Sequence, residues 1–444
     1  MLARAMIFTA RHTALTALSA ATAIATVAWL VIKRRRALRP SSSYLRRASL
    51  DPTLVADRRR MIELYLQDVA ARPLSPPPPK PPSSERGVRL VTWNLNILCG
   101  PDWHTAVSAA DVSAVLQRLD ADVLVLQELP CEALDTLWDA QLAAPMARVR
   151  ELDGLLKAAG YHTVLRSPAE NATVLATRLR VLETDGFLLD EVPTATLNGA
   201  EVWAESRGAL YAALATDSGE CLGVYATHLS HKDATLVRPK RSGADARSAP
   251  ASASDGSRAE PPAPMRQRSV DWASATTVSG VRRRQAEALT RHWEGRAAKG
   301  APAESATTSG GGAAATGGGG GLPRASDASD AVVLADFNQP LAAHYDAAEW
   351  RVVAAGLSSP AVAQPIDDGV AALLARRGWR CAYASCERSN FGAGRRAPPM
   401  THWTGTTVDF AYLHGDGWRV RGAYVEYSPL SDHLPVVVDL VPRT

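Results

Sequence analysis

The sequence predicts a single large α/β domain of two packed, mostly antiparallel sheets with helices outside, and three observations carry that prediction. Apolar runs of strand length outnumber helical patterns, many follow one another directly, and the low-complexity stretches between them cannot bury enough surface to order themselves. The strand-length runs are 88–92, 123–126, 173–176, 209–215, 222–226, 331–334, 408–413 and 434–440. Helical patterns lie at 107–119, 131–159, 281–293 and 344–356. Two stretches rich in Ala, Ser, Pro or Gly, 233–265 and 297–329, read as surface insertions in loops.

The chain has 444 residues, long enough for two average domains or for one large domain with appendages. Its 46% hydrophobic and 21% charged residues are those of a globular protein with a sizeable core. The net charge of +4 is a local property. Arg4, Arg11, Lys33, Arg34, Arg35, Arg36, Arg39, Arg46 and Arg47 meet no acidic residue before Asp51, so the remainder is slightly acidic and has no global basic field for nucleic acid. The five cysteines form no C-x-x-C pair, which suits a reducing compartment better than a disulfide scaffold or a zinc site.

The N-terminus reads as an anchor. Residues 13–32 are uncharged, about bilayer length, and closed by Lys33-Arg34-Arg35-Arg36. The reading is one transmembrane helix within a basic segment 1–50, with the bulk of the protein in the cytosol by the positive-inside rule. The acid-free, Arg- and Ser-bearing composition also suits a mitochondrial presequence. Residues 51–85 then read as a juxtamembrane amphipathic helix and a Pro-rich spacer, and 86–444 as the folded domain.

The chemistry lies where the apolar runs stop. VTWNLN ends in Asn94 and Asn96, two apart and so on one face; VLVLQEL ends in Glu128; VYATHLS supplies His228. VVLADFNQP supplies Asp336 and Asn338, TTVDFAYL supplies Asp409, and SPLSDHLPVVVDL supplies Asp432 with His433. Singly, each is an ordinary turn former or a satisfied histidine. Together, carboxylates and amides without a cysteine cluster are hard ligands suited to Mg²⁺ or Mn²⁺. No hydroxyl or thiol nucleophile on a Gly-rich turn is evident, so water is the attacking group and metal-assisted phosphoester hydrolysis the predicted chemistry.

The ordered series WN-x-N, QE, THL, DFN, VDF and SDHLPV resembles the endonuclease/exonuclease/phosphatase superfamily over about residues 88–442. The resemblance implies a four-layer α/β sandwich of two mostly antiparallel sheets flanked by helices, with a metal between the sheets. It implies that Glu128 is the main metal ligand, helped by Asn96 and Asp432, and that Asp336 orients and deprotonates water with Asn338 beside it. His433, oriented by Asp409, and His228 would contact phosphate oxygens. Asn94 would hold the phosphate or His433, and Asn171 in ENATVLATR would sit near the scissile group. Arg207 reads equally as a phosphate clamp or an exposed charge, and His402 with Trp403 as pocket or structural residues. Two departures stand out: Ala335 where the superfamily usually has glycine before DFN, and Asn96 where some members carry an acid.

Shared metal chemistry does not choose a substrate. The segment TTVDFAYL disfavours the inositol-phosphatase branch, which leaves nucleic acid and a phospholipid headgroup about equal, since a membrane tether suits a lipid enzyme and equally a nucleic-acid enzyme at an organelle surface. A catalytically silent, membrane-anchored binding module on the same fold is the reading from another class.

Overall fold

The computed structural model describes residues 58–72, 79–82, 85–130, 139–168, 171–190, 193–197, 200–203, 207–230, 276–277, 281–300, 323–345, 347, 369–391, 398 and 400–443. The segment 13–32, the insertion 233–265, most of the insertion 297–329 and most of the helical pattern 344–356 lie outside them. Among the described residues no helix is long and apolar enough to cross a membrane.

The chain opens with α1 (Arg58–Ala70) and runs through β1 (Val88–Asn94), α2 (Ala109–Leu119), β2 (Val123–Pro130) and α3 (Asp139–Ala158). Next come β3 (Thr163–Arg166), β4 (Asn171–Thr177), β5 (Arg180–Asp190), β6 (Pro193–Leu197), β7 (Ala200–Trp203), β8 (Arg207–Ala215) and β9 (Cys221–His228). After β10 (Thr276–Thr277) follow α4 (Val281–Gly300), β11 (Ala331–Asp336), α5 (Val370–Arg376), β12 (Arg380–Cys381), α6 (Ala382–Ser385) and β13 (Arg388–Ser389). The chain closes with β14 (Asp409–His414), β15 (Trp418–Val425) and β16 (Val436–Pro442).

Two sheets result, in the orders β13-β15-β16-β1-β2-β4-β3 and β12-β14-β11-β9-β8-β5, with a small third sheet β10-β6-β7. Most pairs are antiparallel, as expected. Besides the short edge pair β13·β15, two parallel pairs matter: β1 with β2, and β9 with β11. Each pair is a strand-helix-strand crossover, through α2 in one sheet and α4 in the other, which antiparallel hairpins could not provide. Both crossovers leave carboxyl ends of parallel strands side by side, the place where α/β sheets present ligands.

The period of two in the strands divides the first sheet's faces. Leu90, Val123 and Val125 join the core shared with the second sheet, while Val91, Trp93, Leu124 and Leu126 turn to the other side with α2 and α3. α2 starts where the Ser108 side chain accepts a hydrogen bond from Asp111 N and stops at Asp120 in left-handed geometry. Its spacing puts Val112, Val115, Leu116 and Leu119 on one buried face. On the second sheet, Tyr225 meets Trp293 of α4 and Trp379 edge-on, at 6.4 and 6.3 Å.

One boundary differs from the sequence reading. The helix taken as juxtamembrane packs into the domain: Tyr65 and Val69 belong to the shared core, and the Tyr65 hydroxyl donates to Ser431 O at 3.2 Å. Arg72, just past α1, donates to the Tyr427 hydroxyl at 2.5 Å and to Asp68 Oδ2 at 2.7 Å. The spacer's end is seated too, because Lys80 Nζ lies 2.5 Å from Asp122 Oδ1. An amphipathic pattern of thirteen residues cannot say which apolar surface it will cover.

Candidate active site

The cluster grows from strand register. In β11, Asp336 stands opposite Asp409 on one side and opposite His228 on the other, so three of the sequence candidates are cross-strand neighbours. In the facing sheet, Asn94 pairs with Gln127 at the end of the β1·β2 ladder. The β2·β4 register shifts between Leu126 and Leu129, and Glu128 inside that bulge has φ 56°. A bulge re-aims a side chain. Here it brings Glu128 Oε1 within 3.0 Å of Asn94 Nδ2 and 3.9 Å of His228 Nε2, across from the other sheet. Asn96 and Asn338 also have positive φ, at 46° and 51°, so strained backbone collects at this end of the sandwich.

Asn94 joins the two sheets. Its Nδ2 donates to Glu128 Oε1 at 3.0 Å and to Asp336 Oδ2 at 3.1 Å, and its Oδ1 accepts from Asn96 N at 2.9 Å. Both amide hydrogens therefore go to carboxylates, rather than to a phosphate or to His433 as the resemblance implied. Asp336 Oδ1 accepts from Asn338 N at 2.8 Å, and Oδ2 lies 3.4 Å from His228 Nε2 and 3.7 Å from His433 Nε2. His433 Nδ1 is 2.9 Å from Asp409 Oδ2, the predicted Asp-His pair.

Arg207 is not an exposed charge. It is buried at the start of β8 with a guanidinium nitrogen 2.9 Å from His228 Nδ1. Arginine only donates, so Nδ1 is the acceptor in that contact, and Nε2 is the nitrogen facing Asp336. The Asn338 amide nitrogen lies 2.8 Å from the same Nε2 and donates to Leu229 O at 3.0 Å.

Asp432 and His433 enter on the loop before β16. The Ser431 hydroxyl donates to Asn94 O at 2.8 Å, and Trp93 Nε1 donates to His433 O at 3.0 Å. The His402 ring is tilted 51° against that of His433 with centroids 4.5 Å apart, and its Nε2 lies 4.0 Å from Asp432 Oδ2. The same oxygen accepts from Trp103 Nε1 at 2.7 Å. Asn96 holds Gly100 O through Nδ2 at 3.1 Å. Asn171 opens β4 opposite Pro130, and its side chain is outside what the structure describes. Thr401, Tyr65, Ser431 and Trp103 were not among the predicted residues. Thr401 Oγ1 accepts from Val408 N and Asp409 N at 3.0 and 3.1 Å, fixing the entry to β14.

Four carboxylates and three imidazoles thus collect at this end of the sandwich. Burial raises Asp336 to about 7, relieved in part by His433 and aggravated by Asp409. Burial and the charge of Asp432 raise Glu128, and burial raises Asp432. Burial would lower His433, but Asp409, Asp336 and Asp432 hold it well above its usual value. An acid set that repels itself, with hard oxygen donors and no thiolate, fits a divalent cation. Among the described residues two groups have ligand atoms within 4.8 Å of one another, His402 with Asp432 and His433, and Asp336 with Asp409 and His433. Glu128, the main ligand by resemblance, belongs to neither group and joins Asp336 through Asn94.

Solved structures with similar folds include an endonuclease/exonuclease/phosphatase from Beutenbergia cavernae, at 17% identity and TM-score 0.45, covering 80% of this chain and 72% of that one. A mannosyl-6-phosphatase from Bacteroides thetaiotaomicron shows 12% identity and TM-score 0.42 over 80% of this chain and 99% of its own. The human Nocturnin catalytic domain with bound sulfate shows 14% identity and TM-score 0.40, over 81% and 95%. No curated protein matches the chain by sequence. The family model for the Endonuclease/Exonuclease/phosphatase family matches residues 91–433, a span that takes in every residue of the cluster and well over half of the chain. On that match, the chain belongs to the endonuclease/exonuclease/phosphatase family.

Proposed function

We propose that this chain hydrolyses a phosphoester with the help of Mg²⁺ or Mn²⁺, using water activated by Asp336. One observation carries the reading: Asp336 lies where both sheets meet, hydrogen-bonded to Asn94 from the first and flanked by His228 and Asp409 in the second. Glu128, with Asp432 and Asn96, would hold the cation, which when bound supplies charge neutralisation at phosphate oxygens. Asp336, raised to about 7, is a suitable base for a proton taken from water. Asn94 and the Asn338 N–H fix its two oxygens, so the water is held in one direction.

His433 stays protonated on its carboxylate partners and offers Nε2–H to a non-bridging phosphate oxygen. His228, held at Nδ1 by Arg207, flanks Asp336 from the other side. Water adds at phosphorus, the bond to the leaving oxygen breaks, and the water proton passes to Asp336. The substrate class is nucleic acid or a phospholipid headgroup, and the uncharged 13–32 segment supports work at a membrane.

The test compares the full-length chain with its Asp336→Asn variant, in Mg²⁺, Mn²⁺ or chelator. Single-stranded DNA, nicked duplex, poly(A), sphingomyelin and phosphoinositides are the substrates. Metal-dependent turnover of one class, lost by about 10³-fold in the variant, is the expected result. No turnover of any substrate, with no heat of Mg²⁺ binding, would leave a catalytically silent binding module.

A further inference from the structure

Three consecutive carbonyls run through the loop that presents Asp432 and His433, and each is held by a different part of the molecule. Ser431 O accepts from the Tyr65 hydroxyl of α1 at 3.2 Å, Asp432 O from Trp403 N at 2.8 Å, and His433 O from Trp93 Nε1 of β1 at 3.0 Å. Because a peptide unit is planar, a held carbonyl also fixes the N–Cα bond that follows it. Tyr65 therefore sets the plane from which the Asp432 side chain leaves the backbone, as Trp403 does for His433. The Ser431 side chain adds to this, since its hydroxyl donates to Asn94 O at 2.8 Å and accepts from His433 N at 3.2 Å.

Tyr65 reaches this loop from outside the span that the family model matches, because α1 ends at Ala70 and the match begins at residue 91. Phenylalanine would fill the same apolar volume, so packing alone leaves the hydroxyl unexplained. The side chain is fully buried, and burial together with the charges of Asp432 and Asp409 holds the phenol well above its usual pKa, a donor at every working pH. Just past α1, Arg72 donates to the Tyr427 hydroxyl, and its guanidinium lies 4.3 Å from the centre of that ring. The α1 segment is thus fastened at two points to the stretch between β15 and β16. We infer that Tyr65 is a positioning residue for Asp432 and His433, so that α1 belongs to the active site and acts on it through the Ser431 carbonyl. For what the loop does, the inference rests on the proposed hydrolytic function; for how the loop is held, it does not.

The experiment compares the full-length chain with two variants. Tyr65→Phe keeps the ring and removes the donor, whereas Val69→Ala thins the core packing of the same helix and removes no bond to the loop. The readouts are Mg²⁺ affinity by calorimetry, kcat and KM on bis(p-nitrophenyl) phosphate, and amide hydrogen exchange over 427–434 by mass spectrometry. Tyr65→Phe is expected to weaken Mg²⁺ binding about tenfold, because the proposed ligand Asp432 loses its support. Its kcat is expected to fall about tenfold with KM within about twofold, the mark of misplaced groups rather than lost binding. Exchange at the His433 and Leu434 amides, which donate to Ser431 Oγ and Thr401 O, is expected to rise about tenfold. Val69→Ala is expected to lower the melting temperature and to leave the three readouts within about twofold. A Tyr65→Phe chain that matches Val69→Ala in all three overturns the inference and leaves the hydroxyl as a satisfied core group. If the parent chain neither binds Mg²⁺ nor turns over the diester, the hydrolytic reading fails and exchange alone decides. A rise confined to Tyr65→Phe then supports the positioning role, and equal rates in the two variants overturn it.

Discussion

The two ends of β1 treat buried charge in opposite ways. At one end Arg89 and Asp439 are each 2% exposed and joined by two hydrogen bonds, Nε to Oδ1 at 2.7 Å and a terminal nitrogen to Oδ2 at 2.9 Å. Another guanidinium nitrogen donates to Leu119 O, and Arg89 N donates to Asp122 Oδ2, which Lys80 also holds. Charges there balance within the protein, and nothing further is needed. Five residues on, at Asn94, carboxylates from both sheets outnumber the cations facing them, and an amide holds two of them together. A balanced ion pair fastens strands. An unbalanced one stores affinity for something the chain does not itself supply.

The largest effect that would break this contrast is catalytic. Asp336→Ala should cut kcat/KM by about 10³-fold or more while leaving the melting temperature unchanged or raised, since it removes an unfavourable buried charge. A large fall in melting temperature would show that the acid end is structural after all. At the other end, Arg89→Met should cost about 3–5 kcal/mol in denaturant unfolding by stranding Asp439. The double variant Arg89→Met with Asp439→Leu should recover most of that loss, and folded protein should keep its kcat.

Next in size, Mg²⁺ at about a hundredfold excess over its Kd should stabilise the chain by about 2.7 kcal/mol. Glu128→Gln should abolish most of this, whereas Arg89→Met should retain it, as thermal shifts with and without chelator can read. The smallest effect concerns pH. Burial lowers His344, whose ring lies 5.7 Å from Phe410, to about 4. The unfolded chain takes up its proton near 6.5, so stability from the neutral ring is present above that value and lost as pH falls toward 4, by about 3 kcal/mol. His344→Phe should remove that part of the acid lability, measured as unfolding midpoints at pH 7 and 4.5.

What the sequence disclosed was local. Apolar runs ending in DFN, VDF and THL placed Asp336, Asp409 and His228 at strand ends, and antiparallel and parallel pairing then put them side by side. β5 was missed because the face it leaves exposed breaks its apolar run: RVLETDGFLLD carries Glu183 and Asp185 in the middle. β15 was missed because Arg419 and Arg421 interrupt WRVRGAYV. The bulge that aims Glu128 has no signature in VLVLQEL. The Tyr65 to Ser431 bond joins residues 366 apart, and no spacing rule reaches that far. Arg207 lay between two readings because burial, which decides them, depends on a strand pairing that composition does not fix.

The seat of α1 ties the start of the domain to a loop near its far end. With Tyr65 lodged beside the loop that carries Asp432 and His433, Arg72 and Lys80 are fastened to the folded unit as well. A force applied at Arg58 would arrive through α1 and one tyrosine hydroxyl at the loop that carries Asp432 and His433.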